Sequence, residues 1–382
     1  MFVDLHVHYP MHLMGDFRRA LVETAHPGDH AHAALLELAC RIGNYETFTS
    51  RPGATVSAMR EGGVGVVLSV LYSPLDEFDL SHGYGAPPDD AYFPRLLAQL
   101  EAVERHLARR HPETARVCRN VADLDGAIAE GRVAFLHAIE GGFHLGGTPD
   151  AITANVATLA GRGLAYVSPA HFFWRGLATV SRAIPYIPDD LFHRLFPQPD
   201  IGLSELGRHL VMAMVGNGVL VDIVHMSERA IADTFALLDA LDAEKSVPVI
   251  ASHMACRFGD RERCLSDETI AQVAARDGVL GVILCEHMLG NGLPAADRGF
   301  GLLCRHIDRI AAVTGSHRYA AIGSDMDGFT RGLPGYRRMS DYARLGEQLV
   351  ARYGTVDAEA IMAGNALRVL RKGWRASLPG SR

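Results

Sequence analysis

The strongest constraint on this chain is a rhythm: short apolar, β-branched runs separated by longer amphipathic stretches. Eight runs stand out: Phe2 to Val7, Val64 to Leu71, Val133 to Ile139, Leu164 to Ser168, Val219 to Val224, Val247 to Ser252, Val279 to Leu284 and Tyr319 to Gly323. Apolar runs without polar alternation suit strands covered on both faces, as in a parallel sheet. The stretches between them carry helical periodicity. Leu96, Leu97, Leu100, Val103 and Leu107 recur at helical spacing, as do Leu206, Leu210, Ala213 and Met214. Ser204 and Ser266 stand where helices begin, and Asp267 and Glu268 put acid into a first turn. Strands and helices alternating eight times predict a closed (β/α)8 TIM barrel of the α/β class, one domain over residues 1–382. An open doubly wound sheet is the alternative, but no GxGxxG follows the first strand to support it.

Bulk properties narrow the function. The 382 residues carry a net charge of −7, with no basic stripe, which argues against nucleic acid as a partner. No apolar run reaches the roughly 18 residues of a membrane span, and the N-terminus reads as a strand rather than a signal peptide. The six cysteines are scattered and form no CxxC pair, which fits reduced thiols in a cytoplasmic protein rather than a cysteine zinc site. A homodimer is compatible with the sequence and not required by it. Residues 9–60, 172–203 and 286–301 exceed ordinary loop length; each follows a strand, so each is expected at the C-terminal face of the barrel, where long loops shape a site.

In such a barrel the chemistry sits at the C-terminal strand ends. The first run ends in His6-Val7-His8, two imidazoles that share a face at strand spacing. The third ends in Glu140, the fourth is followed by His171, the fifth and sixth end in His225 and His253, and the eighth ends in Asp325. The seventh offers Glu286 and His287, and the second offers no candidate. One such residue carries little weight; six strand ends supplying His, Glu or Asp indicate a site for Zn²⁺ or a similar divalent ion. Four histidines with Glu140 exceed what one catalytic zinc needs and suit two ions bridged by the carboxylate. Two ions would share a hydroxide, and Asp325 could take the proton of the water and pass it to a leaving amine.

These residues resemble the membrane (renal) dipeptidase family of the amidohydrolase superfamily, over nearly the whole chain. The resemblance rests on Glu130-Gly131-Arg132-Val133 leading to Ile139-Glu140-Gly141-Gly142, on Ser204-Glu205-Leu206-Gly207-Arg208 followed by Val221 to Ser227, on Pro248 to His253, on Ile322 to Gly328 and on Gly364 to Val369. It implies a zinc-dependent dipeptidase acting through a metal-bridging hydroxide. His6 and His8 would hold the first Zn²⁺, His225 and His253 the second, with Glu140 between them. His171 would polarise the scissile carbonyl, Asp325 would shuttle the proton, and Arg263, with Arg257 and Arg261 as alternatives, would hold the substrate carboxylate. His8 stands where the family has aspartate, which removes a negative charge beside the first ion. The same centre could serve N-acyl amino acid deacylation or lactone hydrolysis; a binding protein without catalysis is a third reading.

Other features are set aside. His30 and His32 fall on an expected helix, where i and i+2 diverge. His12, His82, His106 and His111 are read as solvated, and Asp327 as structural. Gly141-Gly142 are expected to let the backbone turn beside Glu140. Phe172-Phe173-Trp174 either lines the pocket or packs beneath the long loop.

Overall fold

The structure is a computed structural model that describes residues 1–13, 52–78, 84–182, 188–294, 296–328 and 330–374. His30, His32, His82 and Cys40 lie outside the described residues. Among the described residues nine strands form one all-parallel sheet: β1 (Phe2–Val7), β2 (Val64–Leu71), β3 (Ala115–Val117), β4 (Val133–Glu140), β5 (Leu164–Ser168), β6 (Leu220–Asp222), β7 (Val249–Met254), β8 (Val279–Val282) and β9 (Ala320–Ile322). Eight of them, all but β3, close into a barrel, since β2 pairs with β4 and β9 pairs with β1. The chain therefore forms the (β/α)8 barrel expected from its eight apolar runs. β3 is additional; it reads Ala115-Arg116-Val117, with Arg116 and Val117 only half-buried, so it makes no apolar run. It pairs with Val133–Phe135 of β4, and β5 takes over from His137 onward.

Strand side chains divide between two cores. Val66, Leu68 and Val70 of β2, Leu136 and Ala138 of β4, Tyr166 of β5 and Ile250 of β7 share the cluster that fills the barrel. Val67 and Leu71, Phe135 and Ile139, and Ala251 join the cluster that meets the outer helices. Leu96, Leu100, Val103 and Leu107 of the helix Tyr92–Arg110 are buried in that outer cluster, the stripe the sequence predicts. The helix Glu205–Gly216 begins at Ser204, whose side chain accepts from Gly207 N, and Ser266 caps Asp267–Ala275 in the same way. At the N-terminal end of the barrel, Val369, Leu370 and Trp374 join the inner cluster, and the Trp374 indole donates to Leu164 O at 3.0 Å.

Strict alternation would put Phe2, Asp4 and His6 on one face of β1. The observed strand breaks that pattern. Val3 and Leu5 pack inside the barrel, whereas Val7 packs with the outer cluster, and the ladder to β2 shifts register between Asp4 and Val7. The irregularity turns His6 inward while Phe2 and Asp4 reach Tyr342 on the outer helix Tyr342–Glu359. β7 has a second shift, between Ala251 and Met254. Bulges re-aim side chains in this way beside functional sites.

Glu104 ties the outer helix to the barrel wall. Its carboxylate receives Arg162 Nη2 at 2.6 Å and lies 3.4 Å from Nε2 of the fully buried His137 on β4. Burial alone would raise the Glu104 carboxyl, but the His137 and Arg162 contacts outweigh it and bring it down to about 2. A carboxyl depressed in the folded state adds stability above its unfolded value near 4.5 and loses it as pH falls toward 2. Glu104→Gln should therefore cost about 1 kcal/mol at neutral pH. The gap to the unmutated protein should close as pH falls through the acid range, as read by urea unfolding at several pH values. A gap independent of pH would show that the carboxylate charge is not what holds the helix.

Candidate metal centre

The barrel brings the dispersed strand-end residues to one point, and Glu140, the last residue of β4, lies at its middle. Its Oε1 is 3.1 Å from His225 Nε2 and 3.5 Å from the Nε2 atoms of His6 and His253. Its Oε2 is 3.3 Å from His8 Nε2 and 3.4 Å from His171 Nε2. Asp325 Oδ1 stands 3.1 Å from His8 Nε2 and 3.9 Å from His6 Nε2. All seven side chains are buried apart from His225, which is 14% exposed. His225 and Asp325 hold left-handed backbone, with φ of 64° and 56°. Non-glycine residues adopt that conformation at some cost, and it tends to mark functional turns.

Hydrogen bonds behind the imidazoles fix which nitrogen faces the centre. Tyr166 OH donates to Leu5 O at 3.0 Å and so accepts from His6 Nδ1–H at 2.7 Å. Ser252 Oγ donates to Asp222 Oδ2 at 2.6 Å and accepts from His253 Nδ1–H at 3.0 Å. His171 Nδ1 donates to Glu77 Oε2 at 2.5 Å. In each case Nδ1 carries the proton, as outer partners of metal-binding histidines commonly arrange. For His6 and His253 this leaves the Nε2 lone pair pointing inward.

Two aspartates brace the strand tips in the same manner. Asp4 Oδ1 accepts from His6 N and Ser324 N, joining β1 to the segment after β9. Asp222 Oδ1 accepts from Val224 N and Ser252 N, joining β6 to β7. Burial raises both carboxyls, against the hydrogen bonds that lower them.

Glu77 corrects the sequence reading, which gave the second strand no site residue. The short helix Pro74–Glu77 follows β2, and Glu77 is only 2% exposed. Besides His171, it accepts from Tyr72 OH at 2.7 Å and from the backbone N–H groups of Phe172 and Phe173. Burial pushes its carboxyl up, but His171 and these donors leave it below the usual value. The signal was Ser73-Pro74, an N-cap followed by proline at the first helical position, with acid at Asp76 and Glu77. Nothing in that signal shows that Glu77 meets a histidine 94 positions away.

The donor set fits divalent cations. Burial disfavours charge on Glu140, yet His171, His6 and His225 hold it well below the normal carboxylate range. Asp325 is held down to about 2 against burial, chiefly by His8 and His253. His8 is pushed up to about 10, also against burial, by Asp325 and Glu140. The field of two buried carboxylates that favours a proton at His8 also favours a metal ion. His6 and His8 Nε2 are 3.2 Å apart, and His225 and His253 Nε2 are 3.0 Å apart. Two histidine nitrogens sharing a tetrahedral zinc would stand about 3.3 Å apart, from Zn–N bonds near 2.05 Å. Donor atoms close enough to share an ion include His6, Glu140 and His253; His6, His8 and Asp325; and Glu140, His171 and His225. These groups cut across the division into two pairs of histidines.

A cavity opens over the centre, lined by His8, Glu140, His171, His225, His253 and Asp325. Arg263 lines it too, and burial lowers its guanidinium to about 10. Arg257 and Arg261 are not among the lining residues; Arg257 binds Glu228 and two carbonyls, and Arg261 donates to His287 O. His287 lines the cavity and Glu286 does not. Phe172 lines it and stacks on His171 with centroids 3.8 Å apart, while Phe173 packs against Phe78 and Phe196. Asp327 is structural, accepting from Gly53 N and Ala54 N. Asn365, in the late Gly364-Asn365 motif, holds the carbonyls of His317 and Ala320 and lies outside the cavity lining. Gly141 has φ of 85°, and a Cβ there would lie 2.5 Å from the Phe143 ring, so the turn after Glu140 needs glycine.

Fold and donor set together define the class: a (β/α)8 barrel with a buried histidine–carboxylate centre of metal-binding type at its C-terminal face. The sequence matches the membrane dipeptidase family (peptidase family M19) over residues 1–378, and the chain belongs to that family. Dipeptidase 3 of Rattus norvegicus is 27% identical over 337 residues, 86% of this chain and 60% of its own length. An uncharacterized dipeptidase of Schizosaccharomyces pombe is 29% identical over 270 residues, 67% of this chain and 59% of its own. The chain thus spans 59–60% of the length of these curated relatives. A metallo peptidase from Rhodobacter sphaeroides, solved with a phosphinate mimic of the dipeptide L-Ala-D-Ala, has the same fold. Its TM-score is 0.73 at 20% identity, over 98% of this chain and 99% of that one. No helix among the described residues is long and apolar enough to cross a membrane.

Replacing Glu77 by Ala would leave His171 Nδ1, Tyr72 OH and two backbone N–H groups without their acceptor. Stability should fall by about 3 kcal/mol, the usual cost of removing one partner from a buried charged network. Denaturant unfolding of the purified variant measures it; a loss within 0.5 kcal/mol, typical of a surface change, would show that Glu77 is not holding the loop.

Proposed function

We propose that this chain is a dipeptidase that holds two zinc ions, or similar divalent ions, at the C-terminal mouth of the barrel. The observation that carries this reading is the convergence of four histidine Nε2 atoms on the two oxygens of Glu140, beneath a cavity that also presents Arg263. Family membership supports it, as does the dipeptide mimic bound by a protein of the same fold. His6 and His8 would hold one ion, His225 and His253 the other, with Glu140 shared. Every one of these residues belongs to the same closed barrel, which supports residues 1–382 acting as one catalytic domain.

When bound, two divalent ions would bring a shared water close to neutral pKa, so that hydroxide is available at pH 7. The remaining roles fall to side chains. Asp325, ionised beside His8, would take the water's proton and deliver it to the departing amine. His171, its Nδ1 bound to Glu77, would point Nε2–H at the scissile carbonyl and stabilise the developing oxyanion. Arg263 would pair with the substrate's free carboxylate, which its fork of donors suits.

Metal analysis of purified protein should find two zinc ions per chain. The protein should hydrolyse members of a dipeptide panel that includes D-residues at the C-terminal position. Zinc-loaded protein that cleaves no dipeptide, yet turns over N-acyl amino acids or lactones from the same panel, would overturn the dipeptidase reading while keeping the metal centre. Asp325→Asn should lower kcat by about 10²–10⁴-fold, the usual contribution of a general acid–base. Arg263→Ala should raise KM for carboxylate-bearing dipeptides by about 10–100-fold, the worth of a charged hydrogen-bonded pair. Unchanged kinetics in either variant would remove that residue from its role.

A further inference from the structure

Ser252 lies on β7, immediately before His253, and is fully buried. In a regular strand, consecutive side chains face opposite sides. The register shift between Ala251 and Met254 releases that rule, and Ser252 Oγ comes to lie 3.0 Å from His253 Nδ1. The same oxygen is 3.1 Å from Nδ1 of His6, on β1, whose ring lies beside that of His253 with centroids 3.8 Å apart. Its own proton goes to Asp222 Oδ2 at 2.6 Å.

A hydroxyl has one proton to donate and two lone pairs that accept. In Ser252 all three are used: the proton toward Asp222, one lone pair toward His253 Nδ1–H and the other toward His6 Nδ1–H, which Tyr166 shares. Asp222 is itself fixed, accepting from Ser168 Oγ, Val224 N and Ser252 N. The hydroxyl therefore cannot turn without breaking contact with a carboxylate that has no room to follow.

We propose that Ser252 is a positioning residue shared by the two halves of the metal centre, and that it couples them. Through one oxygen it holds His6, assigned to one ion, and His253, assigned to the other, in the tautomer whose Nε2 lone pair faces Glu140. This rests on the two-ion reading given above. Ser252 touches neither substrate nor ion; it acts through the two histidines. Outer partners of metal-binding histidines commonly contribute about 10–100-fold to metal affinity, and here one such partner serves both sites.

The test is zinc titration of metal-stripped protein against a chromophoric chelator, which reads two stepwise affinities. Ser252→Ala should weaken both by about 10–100-fold. Tyr166→Phe, which removes a partner of His6 and none of His253, should weaken one. Ser168→Ala, which touches Asp222 but neither histidine, should leave both near the unmutated values. If Ser252→Ala does not fold, Asp222→Asn serves instead. Its amide would donate to Ser252 Oγ and take a lone pair from the histidines, with the same double loss expected. Retention of both affinities in Ser252→Ala, loss of only one, or an equal loss in Ser168→Ala would overturn the proposal. Failure of the unmutated protein to bind two ions would instead overturn the reading on which it rests.

Discussion

One buried carboxylate organises this protein. Glu140 sits where five imidazole Nε2 atoms approach within 3.1–3.5 Å, and an ionised carboxylate in so enclosed a place is tolerable only with positive charge or strong donors around it. Those partners come from four other strands or the segments that follow them, so the centre exists only when the barrel is closed. The pairing of β2 with β4 completes that closure. Folding and site assembly are in this sense one event, since no part of the sheet can gather the set alone.

The positions of the imidazoles depend on departures from regular structure. A straight β1 would carry Asp4 and His6 on one face; its irregularity sends Asp4 out to Tyr342 and His6 in toward Tyr166. The shift in β7 lets Ser252 support the histidine next to it. His225 and Asp325 take left-handed backbone just beyond their strands. Each departure carries a local cost, and the surrounding hydrogen bonds of Asp4 and Asp222 hold it in place. Such irregularities belong where side chains must be aimed more closely than sheet geometry permits.

The polar layer beneath the centre gives it a defined protonation pattern. Tyr166, Ser252 and Glu77 each receive an Nδ1–H, so the chemistry faces the cavity through Nε2. His8 is oriented instead by the carboxylates at its Nε2. It has Asp325 3.1 Å away, a carboxylate supplied by a different strand end.

How much of this is legible in the chain follows from the range of the forces involved. The eight barrel strands are written as apolar runs because both faces of each are buried, and burial is a property that local composition records. The helix stripe of Leu96 to Leu107 and the caps at Ser204 and Ser266 are equally local. The strand-end histidines, Glu140 and Asp325 could be read because the C-terminal ends of barrel strands converge whatever the loops do. β3 escaped because Arg116 interrupts it and it is only half-buried, and Glu77 escaped because its partner His171 is 94 residues distant. The resemblance pointed to Arg263 while spacing left Arg257 and Arg261 open; the folded loop shows Arg263 lining the cavity while Arg257 and Arg261 bind elsewhere. By itself, then, the sequence determined the barrel and the residue types at its mouth, since periodicity and burial act over a few residues. The tertiary structure alone decided which way β1 and β7 turn their side chains, which hydroxyl or carboxylate backs each imidazole, and which arginine enters the pocket, because those choices depend on contacts between segments far apart in the chain.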